Sequence, residues 1–404
     1  MKAVAASARA ADRRATQWRL SLLWAAAFLP VGLHLPYFPV WLAARGLDDA
    51  TVAAILAAPL VVRVAVTPLV ATVADRAGIA VTFCGCTLTV LCAYGGLAGA
   101  DRTAAIFVLA ILVIAAQGSM PSLADALTLS EMQRIEAAGE RRIEYGRMRM
   151  FASLVTLAMM LASAPLVAAM PRERIVLALV ALAAVPAGVG SYLAWSLRSR
   201  RPRLAPTGRL TADAARLRLA LVAIAAAALV QASHAEIYSF GTLRWQALGF
   251  SPALIGVAWA TGVASETVLF YVTGSLLGGA RKAGALLACG AGGAVLRWLA
   301  MGAGPPAALV LPLQTLHALS FAATYSGSVL LIGSLAGPTH RARMQGLLSA
   351  VSSLTLAGAT LLAGLLTARF GDGAYLAMAA LAGLGLALAL TALALRRRLP
   401  PEGG

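Results

Sequence analysis

Charge is what this sequence has least of. Only 12% of its 404 residues are Asp, Glu, Lys or Arg, whereas soluble globular domains carry about 25%. Acid is the scarcer sign, with 16 Asp and Glu against 33 Lys and Arg. Cysteine is nearly absent: Cys84, Cys86 and Cys92 share one apolar run and Cys289 lies in another. Without a CxxC spacing they supply neither a metal site nor a disulfide framework, and they read as small buried apolar side chains. No HExxH, GxSxG or comparable nucleophile-and-base constellation occurs, which argues against a membrane acyltransferase or intramembrane hydrolase. The expectation is no enzyme, no catalytic residues, no metal and no cofactor.

Apolar residues are what the chain does have, at 60% and a mean hydropathy of +0.82. They form runs of about 20 residues, long enough for helices across a hydrocarbon core, whereas a barrel would show alternating segments of about ten. A net charge of +17 raises the possibility of nucleic acid, but the basic residues are short clusters between apolar runs, so no nucleic-acid partner is expected. The first run is long and interrupted by Pro30, Pro36 and Pro39, features of an uncleaved span and not of a signal peptide.

Twelve spans are predicted, at 20–42, 51–73, 79–99, 104–128, 148–170, 174–196, 218–240, 252–276, 283–301, 307–331, 345–368 and 374–395. The loops test this count, because short cytoplasmic loops carry an excess of Lys and Arg. In the twelve-span frame 24 of the 33 basic residues fall on the side of the termini and 6 on the other, with Arg63, Arg149 and Arg297 inside spans. A frame with one span more would scramble that asymmetry. Both termini are therefore expected in the cytoplasm, with the chain multi-pass.

The longest basic loop, around 197–217, holds Pro202, Pro206 and Gly208 at the middle of the chain. It divides the sequence into a tail at 1–19, a six-helix bundle at 20–197, a cytoplasmic linker at 198–217, a second six-helix bundle at 218–395 and a tail at 396–404. Aligning the halves at an offset of 203 sets GLDDATVAAILAAPLVVR (46–63) against GFSPALIGVAWATGVASE (249–266), so Arg63 falls opposite Glu266. The RxRM of 147–150 recurs at 341–344. Parallel six-helix repeats with substrate held near the midplane are one plan of secondary transporters.

Ionisable groups inside a bilayer cost about 2.5–3.5 kcal/mol each on insertion scales and are usually functional. The intramembrane polar set here, ionisable groups with three glutamines, is His34, Arg63, Gln117, Asp125, Arg149, Gln231, His234, Glu236, Glu266, Arg297, Gln314 and His317. These residues occupy spans 1, 2, 4, 5, 7, 8, 9 and 10 and leave spans 3, 6 and 12 almost without polar groups, as expected of helices that line a cavity backed by scaffold helices. Asp125 and Arg149, on consecutive antiparallel spans, are at similar depth and positioned to neutralise each other. Arg149 and Arg297 suit a carboxylate solute, since a guanidinium can bind one with two parallel hydrogen bonds. Arg63, Gln117 and Gln314 complete the predicted solute contacts, and Trp259 offers a face for a flat solute. Static pairs that fix helix packing are the competing account of the charges. Trp18, Trp195, Trp41 and Trp245 lie near predicted span ends and read as an interfacial belt.

Ala74, Asp75, Arg76, Ala77 and Gly78 follow span 2, and here the sequence resembles the major facilitator superfamily, whose loop between helices 2 and 3 carries Gly-x-x-x-Asp-Arg-x-Gly. Ala71 stands where that pattern starts with glycine, and the C-terminal counterpart GGARKAG (278–284) lacks the acid. LPYFPVWLAARGL (35–47), PSLADALTL with YGRMRMFAS, IGVAWATGVASETVLF (255–270), LRW (296–298), LQTLHALSFAATYSG (313–327) and RMQGLLSA (343–350) resemble the phenylpropionate permease family, relatives of the lactose and nucleoside proton symporters. The resemblance implies an all-α membrane fold of two six-helix bundles and proton-coupled import of a small organic solute, nominally an aromatic carboxylic acid, by alternating access. A proton-coupled efflux exchanger of the same fold is the alternative. It further implies Asp75 and Arg76 as gating residues, Glu266 as the first proton carrier with His317 tuning it and Asp125 as a further proton-coupling residue, and Asp125 with Arg149 as a gate or clamp. The expected partners are a solute, protons and the lipid bilayer of a bacterial inner membrane, with the protein expected as a monomer.

Overall fold

The computed structural model describes residues 2–137, 144–197, 214–276, 280–335 and 337–398. With no water in the hydrocarbon core to satisfy N–H and C=O groups, a spanning chain must close its hydrogen bonds locally, as a helix does. Among the described residues the regular structure is helical: α1 (Lys2–Phe28), α2 (Val31–Ala44), α3 (Asp49–Ala77), α4 (Ile79–Ala98), α5 (Thr103–Ala137), α6 (Tyr145–Ala168), α7 (Ile175–Val185), α8 (Ser191–Ser196), α9 (Ala214–Ala232), α10 (Ala235–Ala247), α11 (Pro252–Leu276), α12 (Ala280–Gly302), α13 (Ala307–Thr315), α14 (Thr324–Leu335), α15 (Gly337–Phe370) and α16 (Ala374–Arg398). Eleven segments among them are long and apolar enough to cross a membrane. The last, Arg343–Arg397, has 55 residues and is broken by a turn at Gly371–Gly373 into α15 and α16, so the spans number twelve.

Sixteen helices make twelve spans because four spans are interrupted. Span 1 breaks at Leu29–Pro30 between α1 and α2, and span 7 at Ser233–His234 between α9 and α10. Spans 6 and 10 each contain a π-helical turn, at Pro186–Gly190 and Ala318–Ala323. The 203-residue offset recurs in the backbone: Gly46 and Gly249, each at φ 79°, follow α2 and α10 in the left-handed conformation that glycine adopts without a Cβ clash. Asp48 then starts α3, accepting the Thr51 N–H at 2.8 Å. Hydrogen bonds from the Thr51 hydroxyl and N–H hold its carboxyl below the usual range.

The chain packs as two compact units, Met1–Arg45 with Val62–Leu204, and Gly46–Val61 with Ala205–Gly404. In the first unit α1 begins at Lys2, so the segment expected as an N-terminal tail is helical, and α5 runs past the expected span to Ala137. Charges on these extensions meet: Arg134 pairs with Glu131 at 2.7 Å and with Asp12 at 3.7 Å. Most of the expected linker, and the end of the expected C-terminal tail, lie outside the described residues.

The second unit depends on close approach of α12 to span 10. A Cβ on Gly290 would stand 2.5 Å from Thr324 Oγ1, and one on Gly293 2.5 Å from Leu319 Cβ. Small residues let membrane helices pack backbone to backbone, and this approach brings Arg297, one turn further along α12, to the π-helical turn. Trp18 and Trp195 are exposed, at 60% and 63%, but Trp41 and Trp245 are 1% exposed and are not part of a lipid-facing belt. The Trp41 indole N–H donates to Glu173 O at 3.0 Å, and Trp245 stacks on Phe250. Gly293→Ala is expected to destabilise the protein by about 1–3 kcal/mol through overpacking, seen as a lower melting temperature in detergent. Gly292→Ala, which meets nothing within 4 Å, should leave it unchanged or raise it.

Candidate functional site

In the second unit four of the predicted residues come together. Arg297 is 2% exposed and Gln314 2%. The Arg297 guanidinium donates to Gln314 Oε1 at 2.6 Å, to His317 Nδ1 at 3.0 Å and to Ser320 Oγ at 3.1 Å, and it lies over the Trp298 ring at 4.5 Å. A guanidinium has only donors, so His317 Nδ1 must accept and the ring proton is on Nε2. That nitrogen faces Glu266 Oε2 at 3.2 Å. The chain is thus carboxylate, imidazole, guanidinium, with the tautomer fixed by the arginine. No carboxylate among the described residues is within ion-pair distance of Arg297, whose Nε is buried without an acceptor.

His234 closes the far side of this network. Its Nδ1 lies 3.1 and 3.2 Å from the carbonyls of Val230 and Gln231, which only accept, so Nδ1 carries the proton and Nε2 accepts from Ser320 Oγ at 3.0 Å. Ser320, completely buried, therefore links Arg297 to His234. Aromatic rings flank the cluster. Phe321 stacks on His317 at 5.1 Å and Tyr325 on Phe321 at 6.3 Å. Tyr238 stacks on His234 at 5.5 Å and on Trp259 at 6.3 Å. The Trp259 N–H is tied to Thr242 Oγ1 at 2.9 Å, so its ring is held against Tyr238 and is only 8% exposed.

The first unit holds the other predicted residues in two groups. Asp125 and Arg149 interact electrostatically but do not form a direct ion pair. Asp125 accepts the Tyr145 hydroxyl at 2.5 Å, while the Arg149 guanidinium lies 4.7 Å from the Trp24 ring and 4.8 Å from Phe28. Two aromatic faces on α1 compete successfully for the cation, each such interaction being worth about 0.5–2 kcal/mol, and Trp24 is held for it by an N–H bond to Thr128. In the second group Tyr94 O–H meets His34 Nδ1 at 2.7 Å and Gln117 Oε1 at 3.4 Å. Arg63 Cδ would stand 3.0 Å from a Cβ at Gly118, on the same stretch of α5 as Gln117. Asp75 and Arg76 are in the last turn of α3, half-buried and exposed respectively, before Gly78 at φ 101°.

Sequence reasoning missed Ser320, Tyr238, Phe321, Tyr145 and Tyr94. Helical spacing could have found Tyr238 and Phe321, and with them Tyr325: Tyr238 is four residues beyond His234, and Phe321 and Tyr325 are four and eight beyond His317. Among the described residues no group of His, Cys, Asp and Glu is arranged to hold a metal.

The sequence model of the MFS_1 like family matches residues 17–371. The chain belongs to that family of the major facilitator superfamily. A probable 3-phenylpropionic acid transporter of Escherichia coli (strain K12) is 29% identical over 400 residues, covering 96% of this chain and 99% of that protein. Solved structures similar in fold include the nucleoside transporter NupG, with TM-score 0.74, 14% identity and coverage of 95% of this chain and 100% of that one. A bacterial homologue of the human lysosomal transporter Spinster gives TM-score 0.72 and 15% identity over 96% and 99% of the two chains. This major facilitator chain is a multi-pass membrane transporter with the twelve-helix fold of its superfamily.

Tyr145→Phe removes the hydroxyl that Asp125 accepts. Stability should fall by about 1 kcal/mol, the net value of such a bond, measured by thermal unfolding of the purified transporter.

Proposed function

We propose that this transporter imports an aromatic carboxylate together with a proton, by alternating access, across a bacterial inner membrane with both termini cytoplasmic. The observation that carries the coupling is the Glu266, His317, Arg297 chain. While Glu266 is ionised, its negative charge lies one imidazole away from the buried guanidinium and compensates it. Protonation removes that charge. Arg297 is then left with neutral partners and an unmatched Nε, and a buried uncompensated cation is strongly unfavourable. The binding of an anionic solute cancels the deficit, so proton and carboxylate enter as a neutral pair. Arg149, held on aromatic rings in the other unit, is in a different setting, which favours Arg297 as the arginine freed by protonation.

Three observations support the aromatic class. Phe321 and Tyr238 build aromatic stacks that flank the arginine and histidine, the guanidinium matches a carboxylate geometrically, and a relative of near-equal length is named a probable 3-phenylpropionic acid transporter. The orientation rests on the basic excess on the terminal side.

Glu266→Gln fixes the neutral form. In proteoliposomes it should retain counterflow of 3-phenylpropionate and lose accumulation driven by a pH gradient; wild-type accumulation would overturn the proposal. Arg297→Gln should bring binding of 3-phenylpropionate down to that of its amide, as measured by thermal shift.

A further inference from the structure

Glu236, in the first turn of α10, takes no part in the network just described. It is two positions after His234, so the two side chains project about 200° apart around the α10 axis. His234 faces Ser320, and Glu236 faces α15. The Glu236 side chain is almost sealed, with the residue 2% exposed, and its polar contacts are to a single atom: Thr367 Oγ1 lies 2.9 Å from Oε1 and 2.8 Å from Oε2. The same hydroxyl is 2.8 Å from the carbonyl of Ala363, one turn earlier on α15.

A hydroxyl has one proton to give. The Ala363 carbonyl can only accept, so when Thr367 donates to it the hydroxyl can only accept from Glu236. A carboxylate has nothing to donate, whereas a carboxylic acid does. If the hydroxyl turned instead toward Glu236, a carboxylate ion would be sealed from water with one hydrogen bond and no cation within ion-pair distance among the described residues, which is a costly arrangement.

The charged neighbours do not help an ion. Asp49, in the first turn of α3, belongs to the segment 46–61 that packs with this unit. It approaches because Gly364, one turn before Thr367, has no Cβ; one there would stand 2.4 Å from Ala53 and 2.9 Å from Asp49 O. Asp372, between α15 and α16, is paired with Arg244 of α10, which donates to both of its oxygens. That arginine is thereby committed. Arg369 of α15 is exposed and its guanidinium lies toward the ring of Phe370. From α16, Tyr375 is 1% exposed, with a hydroxyl that has no hydrogen-bond partner.

We propose that Glu236 is a second proton-binding site of this transporter, separate from Glu266: it holds a proton in the structure described here and exchanges it with water when the α10–α15 contact opens. The ligand is the proton itself, held as Glu236 O–H donating to Thr367 Oγ1 and released as hydronium, leaving a carboxylate that Asp49 and Asp372 repel. The inference does not depend on Glu266 being the coupling carboxyl.

Infrared difference spectroscopy of the full chain in liposomes tests it. At neutral pH the wild-type-minus-E236Q spectrum should show the C=O stretch of a protonated carboxyl, and the same feature should persist in an E266Q background. Thr367→Val should shift the band toward that of a more weakly hydrogen-bonded acid, which gives a second reading should E236Q fold poorly. Raising the pH should convert the band reversibly to carboxylate absorption. A carboxylate signal in the neutral difference spectrum, or a band that never titrates while the protein remains folded, would overturn the proposal. Normal accumulation by E266Q would defeat the Glu266 mechanism and leave this result intact.

Discussion

Burial of one guanidinium constrains the second unit more than any other interaction. Arg297 is sealed from water among neutral acceptors, and each of these is supplied by a different local feature of span 10. Gln314 comes from the end of α13, His317 from the residue before the π-helical turn, and Ser320 from within it. An isolated charge in such a place is tolerated only where its hydrogen bonds are nearly complete. The positions of those three residues are therefore coupled to one another through the cation, and disturbing the turn alters the environment of Glu266 without touching it.

The geometry behind this is set by absent side chains as much as by present ones. Gly290 and Gly293 allow α12 to meet the backbone of span 10, and the π-helical turn inserts one extra residue in a stretch that contains neither glycine nor proline. Such turns are often found at functional sites. The break at Ser233–His234 does comparable work on the neighbouring span, since it directs His234 to the cluster and leaves the following turn of α10 to face α15.

Much of this was readable in the sequence. The number of spans followed from hydropathy and was checked independently by the distribution of Arg and Lys between alternate loops, because both signals accumulate over many residues. Glu266, Arg297, Gln314 and His317 were identifiable because polar side chains are rare in apolar runs. Their connectivity was not, since Ser320 looks like any small residue and an unmarked π-helical turn leaves no trace in hydropathy. The expected Asp125–Arg149 pair shows the limit of reasoning from depth alone. Equal depth brings two charges within range, but the rotamer of a long side chain is decided by everything it can reach, and Arg149 can reach Trp24 and Phe28 on α1. Trp41 and Trp245 mislead for a related reason: a position near a span end fixes height in the membrane and says nothing about which way the helix face points.

The aromatic clasp on Arg149 has an electrical consequence. Ring quadrupoles attract a cation without surrendering or accepting a proton, so they hold the guanidinium without adding a titrating group of their own. The net charge of that corner of the first unit is then decided by Asp125, whose carboxyl interacts electrostatically with Arg149, and not by the rings.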